Sequence, residues 1–314
     1  PGKTPYTSPR KETDKAEILS GVFEGKTTGT PISIIIPNKD VDSSKYEPIK
    51  NLLRPGHANY TYLKKYGIFD YRGGGRASAR ETACRVAAGA IARKFLQCSG
   101  IQLLAFIKQI GTVEATVNTN NFDLLHALTY RSPIFCPDTK ATQTMTSLIE
   151  KAKEEGDSLG GMIEFIAMSV PVGLGDPIYE KLEANLARAM MSLPATKGFE
   201  MGSGFSSVAM QGSEHNDPFK IAKDNAQTTS NHAGGTLGGI SNAMPIVGRV
   251  AFKPTSSVMK PQETITTSGE QASFQLPTGS RHDPCVAIRA VPIVEAMLAL
   301  VLADAVLLNR CTKL

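Results

Sequence analysis

The hydrophobic positions of the chain fall into short β-branched runs punctuated by glycine and into longer blocks of helical spacing. Ala16 to Val22 and Thr30 to Ile36 read as strands, the second (PISIIIP) apolar and β-branched, with Gly25 to Gly29 as the hairpin turn between them. Pro1 to Lys15 is a polar arm and Asn38 to Asn51 a polar connection. Ile101 to Ile107, Met162 to Val172, Phe205 to Met210 and Ile246 to Phe252 read as strands. Thr139 to Glu155, closed by Gly156, and Tyr179 to Met191 carry apolar residues at helical spacing. Asn118 to Pro137 is irregular, Asp217 to Asn242 polar and glycine-rich, and Thr264 to Pro277 ambiguous, a strand pair being one reading.

Two helices stand out. Ser78 followed by Glu81 is a capping box, so Ser78 is the expected N-cap of an Ala-rich helix from Ala79 to about Leu96. The last helix runs from about Pro292, a good first helical residue, to Asn309. It is very apolar, but Glu295 and Asp304 within it argue for a buried helix over a membrane span. Strands and helices are mixed without regular βαβ alternation, which predicts an α+β fold with antiparallel sheets. Arg76 and Arg85 precede one apolar helix and Arg281 and Arg289 the other, an echo that fits either two related halves or chance.

Composition narrows the class. The chain has 314 residues, 41% hydrophobic and 20% charged, enough for a full core in one large domain or two. A net charge of +5 suits anionic small molecules; without Trp or basic tracts interleaved with aromatics, nucleic acid is disfavoured. Five scattered cysteines with no C-x-x-C spacing point to reduced thiols and a cytoplasmic protein. No signal peptide is visible, and no two histidines have metal-ligand spacing, so no metal is expected. The chain starts at Pro1 without a methionine, which leads us to expect residues upstream.

The chemistry concentrates in Arg54 to Leu96. Arg72, a triple glycine, Arg76 and Arg80 crowd the start of the Ala-rich helix, where the macrodipole disfavours cations. Either an anion is bound there by backbone N–H groups and guanidinium groups, or the arginines are in water or paired with carboxylates. His57, in RPGHAN, suits proton transfer if it faces a cleft and is otherwise a loop residue. Asn231 to Ile240 (NHAGGTLGGI) is a ligand-approach loop or a connector. Lys253 to Ser257 (KPTSS) is a phosphate contact or a polar turn. Arg281 to Cys285 (RHDPC) offers guanidinium, imidazole and carboxylate, or a turn. His126 and His215 read as structural. Six cations, Arg54, Arg72, Arg76, Arg80, Lys253 and Arg281, stand at turns or element ends, which suits a ligand set with several negative charges.

At RPGHANYTYLKKYGIFDYRGGGRASARETACRVAAGAIA the chain closely resembles chorismate synthases. The resemblance continues through LSGVFEGKTTGTPI, KEEGDSLGG, VPVGLGDPIYEKL, SNHAGGTLGGIS, KPTSS and RHDPCVAIRAVPIVEAMLALVL, so that one family domain spans residues 1–314. It implies a β-α-β sandwich, with helices packed between antiparallel sheets, assembled as a homotetramer. It implies a lyase that converts 5-enolpyruvylshikimate 3-phosphate to chorismate by 1,4-anti elimination of phosphate, in the shikimate pathway to aromatic amino acids. The reaction depends on reduced FMN without net redox change, and an external NADPH-dependent reductant would supply the flavin. His57 would protonate the reduced, anionic flavin, and Asp283 and Ser78 would manage the leaving proton. Arg76, Ala77, Ser78, Gly238, Lys253, Pro254, Thr255, Ser256, Ser257 and Arg281 would contact FMN. Asn231 would lie near the site, and the Pro194-Ala195 turn would add a contact from this chain or another subunit. Arg54 and Arg80 would hold the substrate's phosphate and carboxylates. The family's N-terminal Gly-Glu-Ser-His-Gly motif, whose histidine is the expected acid for the leaving phosphate, does not occur here, and a family arginine position is Pro5. Asn59, Ala77 and Pro194 replace a frequent Asp, Ser and Asn. The alternative expectation is therefore a catalytically impaired, FMN-binding form of the same fold.

Overall fold

The computed structural model describes residues 4–10, 12–73, 75–222, 225–277 and 279–312. Gly74 of the triple glycine lies outside them. The first strand pair is a two-tier hairpin: β1 (Glu17–Ile18) pairs with β4 (Ile34–Ile35), and β2 (Val22–Phe23) with β3 (Lys26–Thr27). Its tip is Glu24-Gly25, with φ of 47° and 74°, the two successive left-handed residues that a tight type I′ turn requires. The polar connection that follows holds a 3₁₀ helix, Ser44–Ile49, and then come α1 (Asn59–Tyr66) and α2 (Thr82–Gln97).

The core is a five-stranded antiparallel sheet in the order β6-β5-β7-β13-β8. Its members are β5 (Gln102–Ile110), β6 (Val113–Glu114), β7 (Gly161–Met168), β8 (Thr196–Met201) and β13 (Ile246–Phe252). Along β13 burial alternates strictly, one residue in and one out, as expected of a strand with one face on the core. Between β5 and β13 come the longer helices α3 (Phe122–Arg131), α4 (Thr139–Glu154) and α5 (Leu182–Met191). α3 sits in the stretch read as irregular; its start is set by Asn121, whose Oδ1 accepts the Leu124 N–H at 3.0 Å. Phe205 to Met210, expected to be a strand, is instead a 3₁₀ helix, Gly204–Ala209. Its apolar residues Phe205 and Val208 are 77% and 88% exposed, so no sheet buries them. After the one-turn α6 (Gly212–His215), the glycine-rich segment forms two small hairpins, β9 (Phe219–Ala222) with β10 (Asn225–Thr228) and β11 (Thr236–Leu237) with β12 (Ile240–Ser241). The ambiguous segment is a strand pair, β14 (Gln262–Ile265) with β15 (Gln271–Phe274).

The last helix, α7 (Ala287–Asn309), begins a turn and a half before the expected start, so Pro292 lies inside it. Only the carbonyl four residues back loses its helical donor, and that loss falls in a start already fixed by packing: Ala287, Ile288, Ala290 and Val291 are all buried. α7 packs on β5 and β7 with one side and on α2 with another. The α2–α7 contact is close because Gly89 has no side chain; a Cβ there would come within 2.4 Å of the Cβ of Ala296. α7 is long and apolar enough to cross a membrane by length and composition, yet Glu295 is 5% exposed within it and fully engaged. One carboxylate oxygen accepts the Ala105 N–H at 2.9 Å, and the other accepts Arg93 Nη1 at 3.0 Å and Tyr130 Oη at 2.8 Å. That carboxylate also closes the β5 edge beyond the short β6. The architecture is α+β: α7 and α5 pack on the five-stranded sheet, α2 packs on α7, and α2 touches β4 of the first hairpin.

Candidate active site

The Arg54–His57 turn follows a bridge between Leu52 and Thr266, with the Leu53 N–H donating to the Ile265 carbonyl at 3.0 Å. The His57 N–H closes the turn on the Arg54 carbonyl at 3.1 Å, and Gly56 takes a left-handed φ of 67°. Asn59, 5% exposed, locks it from the start of α1. Its Oδ1 accepts the Arg54 N–H at 3.1 Å and its Nδ2 donates to the Leu52 carbonyl at 2.9 Å. An aspartate could make the first bond but not the second, so the amide belongs to this turn.

The KPTSS segment leaves the end of β13 and clasps the turn. Lys253 Nζ donates to the Gly56 carbonyl at 2.7 Å, and Arg54 Nη2 to Ser257 Oγ at 3.2 Å. A Cβ on Gly56 would come 3.1 Å from the Cβ of Ser256. The third wall is the start of α2, reached through two 3₁₀ turns, Gly75–Ala77 and Ala79–Glu81. Ser78 is the cap, as expected, but of the second 3₁₀ turn: its hydroxyl accepts the Arg80 N–H at 3.3 Å. The capping box is not closed, because Glu81 turns to Arg85 at 3.1 Å and α2 proper begins at Thr82.

These walls enclose a cavity of about 290 Å³ lined by Arg54, Ser78, Arg80, Ser257 and Arg281 together with Arg10, Arg72, Lys45 and Tyr46. Its cations are of two kinds. Arg80 pairs with Asp14, Arg281 with Asp40, Arg10 with Glu12 at 2.7 Å, and Arg72 with Asp70 at 3.0 Å. Arg54 has no carboxylate partner among the described residues; it has the Ser257 hydroxyl, the Phe274 ring at 5.9 Å, and a buried Nε with no hydrogen-bond partner. Burial holds its pKa below the usual guanidinium range. Beside it, His57 has a buried Nδ1 with no partner and an edge contact to Phe69. Burial, and then the charges of Arg54 and Lys253, push its pKa down to about 4. A half-buried cation and a neutral imidazole with unused polar atoms form a site arranged for an anion. A larger groove, about 730 Å³, runs between α5 and α7, but its Arg188 is already beside Glu180 at 3.9 Å and Asn185 at 3.0 Å.

The remaining expected residues divide by position. Arg76 and Ala77 belong to the turn just before Ser78, Arg76 exposed. Thr255 Oγ1 donates to the Asp283 carbonyl at 3.2 Å, bringing the RHDPC segment against KPTSS; Pro254 lies against Gly160. Ala195, with a left-handed φ of 69°, accepts the Lys253 N–H at 2.9 Å, so the Pro194-Ala195 turn adjoins KPTSS within one chain. Asn231 and Gly238 are not brought to the cavity in this chain. Asn231 Nδ2 donates to the Pro245 carbonyl at 2.8 Å, next to the first residue of β13, whereas KPTSS follows its last. Gly238 is at the β11–β12 tip, where Gly239 accepts the Leu182 N–H at 2.8 Å. The two ends of β13 are separated by roughly 20 Å of strand.

Sequence reasoning missed Arg10, Lys45, Tyr46 and Asp40 as cavity residues. The first belongs to a segment read as an arm and the others to a polar connection, and no local pattern says that such segments fold over a site.

A family model described as chorismate synthase matches residues 1–307. A chorismate synthase from Protochlamydia amoebophila is 58% identical over 318 residues, covering 100% of this chain and 86% of the relative. One from Opitutus terrae is 51% identical, covering 97% and 83%. A crystal structure of a chorismate synthase superposes with a TM-score of 0.74 at 35% identity, over 93% of this chain and 78% of that one. The impaired form considered as an alternative finds no support in these relatives. With its antiparallel sheet, its helix layer and its cationic cavity, the chain belongs to the chorismate synthase family, enzymes of the lyase type.

Proposed function

We propose that the cavity carries out the elimination of phosphate from 5-enolpyruvylshikimate 3-phosphate, giving chorismate, with reduced FMN bound beside the substrate. The observation that carries this reading is Arg54: an enclosed guanidinium with no carboxylate partner among the described residues, next to a neutral histidine. Phosphate and carboxylate groups supply what that pair lacks. In the reaction one carbon loses a proton, the C–O bond to phosphate breaks at another, and phosphate leaves with the electron pair. Reduced FMN, when bound, would supply electron density that eases this departure.

The residues of this chain divide the work. Arg54 and Arg80 hold the phosphate and carboxylates, Arg80 by exchanging Asp14 for the ligand. Lys253, Ser256, Ser257, Arg76 and Arg281 hold the flavin's phosphate and ring edge. His57 is kept neutral by burial and by the charges of Arg54 and Lys253; an anionic flavin or phosphate beside it would favour the imidazolium, so the ligands themselves would raise its proton affinity. Asp283, and the Ser78 hydroxyl, accept and pass the proton that leaves. The reading includes a homotetramer in the cytoplasm, in which Asn231 and Gly238 reach the flavin of a neighbouring copy, since the sheet separates them from their own cavity.

Anaerobic incubation of the protein with reduced FMN and 5-enolpyruvylshikimate 3-phosphate, followed by the absorbance of chorismate, tests the proposal. Stoichiometric phosphate and chorismate are expected; flavin binding without either product would overturn it.

A further inference from the structure

Asp283 is held by two donors from different parts of the chain. Its side chain is 13% exposed. Oδ1 accepts the Ser8 N–H at 2.8 Å, and Oδ2 accepts Arg289 Nη1 at 3.0 Å. Ser8 is itself 3% exposed, so the first donor is fixed by the packing of the N-terminal arm. Arg289 is the third residue of α7, in a first turn that contains no acidic residue and is not capped by a side chain. A cation in that turn opposes the helix macrodipole, and Asp283 offsets both the guanidinium and the exposed N–H end. The other titratable groups beside Asp283 are His282 and Cys285, the latter's thiol pushed up to about 11, chiefly by burial.

An ionised carboxylate has about four lone-pair sites, and two are filled here, so the group is fixed in place while still able to accept a proton or hydrogen bond. Resting on the reading of Asp283 as a proton-handling residue, we propose that Arg289 is a positioning residue for the reaction: through its charge-assisted bond to Oδ2 it fixes the orientation of the Asp283 carboxylate. Arg289 acts only through Asp283, and a lysine, which keeps the charge but not the planar fork, replaces it in part.

The test uses the intact protein with Arg289→Met, Arg289→Lys and Asp283→Asn, each assayed for kcat, KM, the pH profile of kcat and melting temperature. For Arg289→Met, kcat is expected to fall at least about tenfold with KM within about twofold, and the acidic limb of the profile to move to higher pH. Arg289→Lys is expected to recover most of kcat and most of the limb position. If Arg289→Met lowers the melting temperature but keeps the wild-type kcat and profile below it, Arg289 only stabilises the fold through its ion pair and the inference is wrong. If Arg289→Met does not fold, Arg289→Lys decides: a wild-type profile and kcat would reject positioning by the fork. Wild-type turnover in Asp283→Asn would instead overturn the role given to Asp283 itself. An inactive Asp283→Asn with an unaffected Arg289→Met would sink the Arg289 inference alone.

Discussion

At one end of the sheet, Gly161 of β7 and Phe252 of β13 lead into the cationic cavity; at the other, Ala167 and Ile246 lead into the Asp217 to Asn242 loops. Both ends carry polar loops that the sequence left open between a ligand contact and a plain turn or connector. The difference is in how their polar groups are used. At the far end Asp217 accepts from Ser230 Oγ at 2.7 Å, from the His232 N–H at 2.8 Å and from the Ala233 N–H at 2.9 Å. Ser203 Oγ meets His232 Nδ1 at 3.0 Å. At the cavity end Arg54 Nε, His57 Nδ1 and His282 Nδ1 are buried without partners. The far end also leaves Asn231 Oδ1 and Asn242 Nδ2 buried without partners, but these belong to neutral amides, whereas the unused atoms at the cavity end belong to a guanidinium and two imidazoles, the groups suited to an anion that arrives later.

The sharpest way to break this comparison is Arg54→Met. Binding of oxidised FMN and of inorganic pyrophosphate, followed by fluorescence and calorimetry, is expected to weaken roughly 100-fold, the loss of one or two charge-assisted hydrogen bonds. The melting temperature should hold or rise, because an enclosed cation without a counter-ion is replaced by a fitting apolar chain. A drop in stability with binding intact would reverse the assignment of the two ends.

Asp217→Ala should give the opposite result. Three donors lose their acceptor, so chemical denaturation should show a loss of about 2 kcal/mol, while pyrophosphate binding at the cavity stays within about twofold. Tighter coupling than that would mean the ends communicate through β13.

The most gradual expected effect is in pH. The pKa of His57 is lowered in the folded chain to about 4 from an ordinary value of 6.5, so between those values the unfolded chain binds the extra proton. Stability from this residue is therefore complete above about pH 6.5 and is lost as pH falls toward 4. The difference between wild type and His57→Gln should change by roughly 1 kcal/mol per pH unit within that window, and a flat difference would show that the imidazole is not shielded. With an anion bound, the lower end of the window should rise toward 6.5 and the pH effect should shrink.

Legibility followed the range of the interactions. Ser78 as a cap, the β-branched β4 segment, β13, α4 and the apolar last helix are set by neighbours within a few residues, and each is present in the fold. The boundaries that failed were decided from a distance. Pro292 marked a start that buried packing of Ala287 to Val291 overrode, and Phe205 to Met210 has strand-like residues but no partner strand. The candidate site split in the same way. Arg54, His57, Arg80, the KPTSS run and Arg281 were open to a ligand role by residue type at turns, and they stand at one end of the sheet; Asn231 and Gly238, in a loop that reads equally as a connector and suggested by the family resemblance, stand at the other end.

By itself the sequence determined the α+β class, the Ala-rich helix with Ser78 as a cap just before it, and the supply of arginines in excess of nearby acids, because periodicity, capping and charge are local properties. Only the tertiary structure decided which of those arginines lack an acid. Asp14 and Asp40 reach Arg80 and Arg281 across 66 and 241 residues, while Arg54 is left with Ser257 and the Phe274 ring. Charge pairing acts over a few ångströms in space, and no spacing along the chain encodes it.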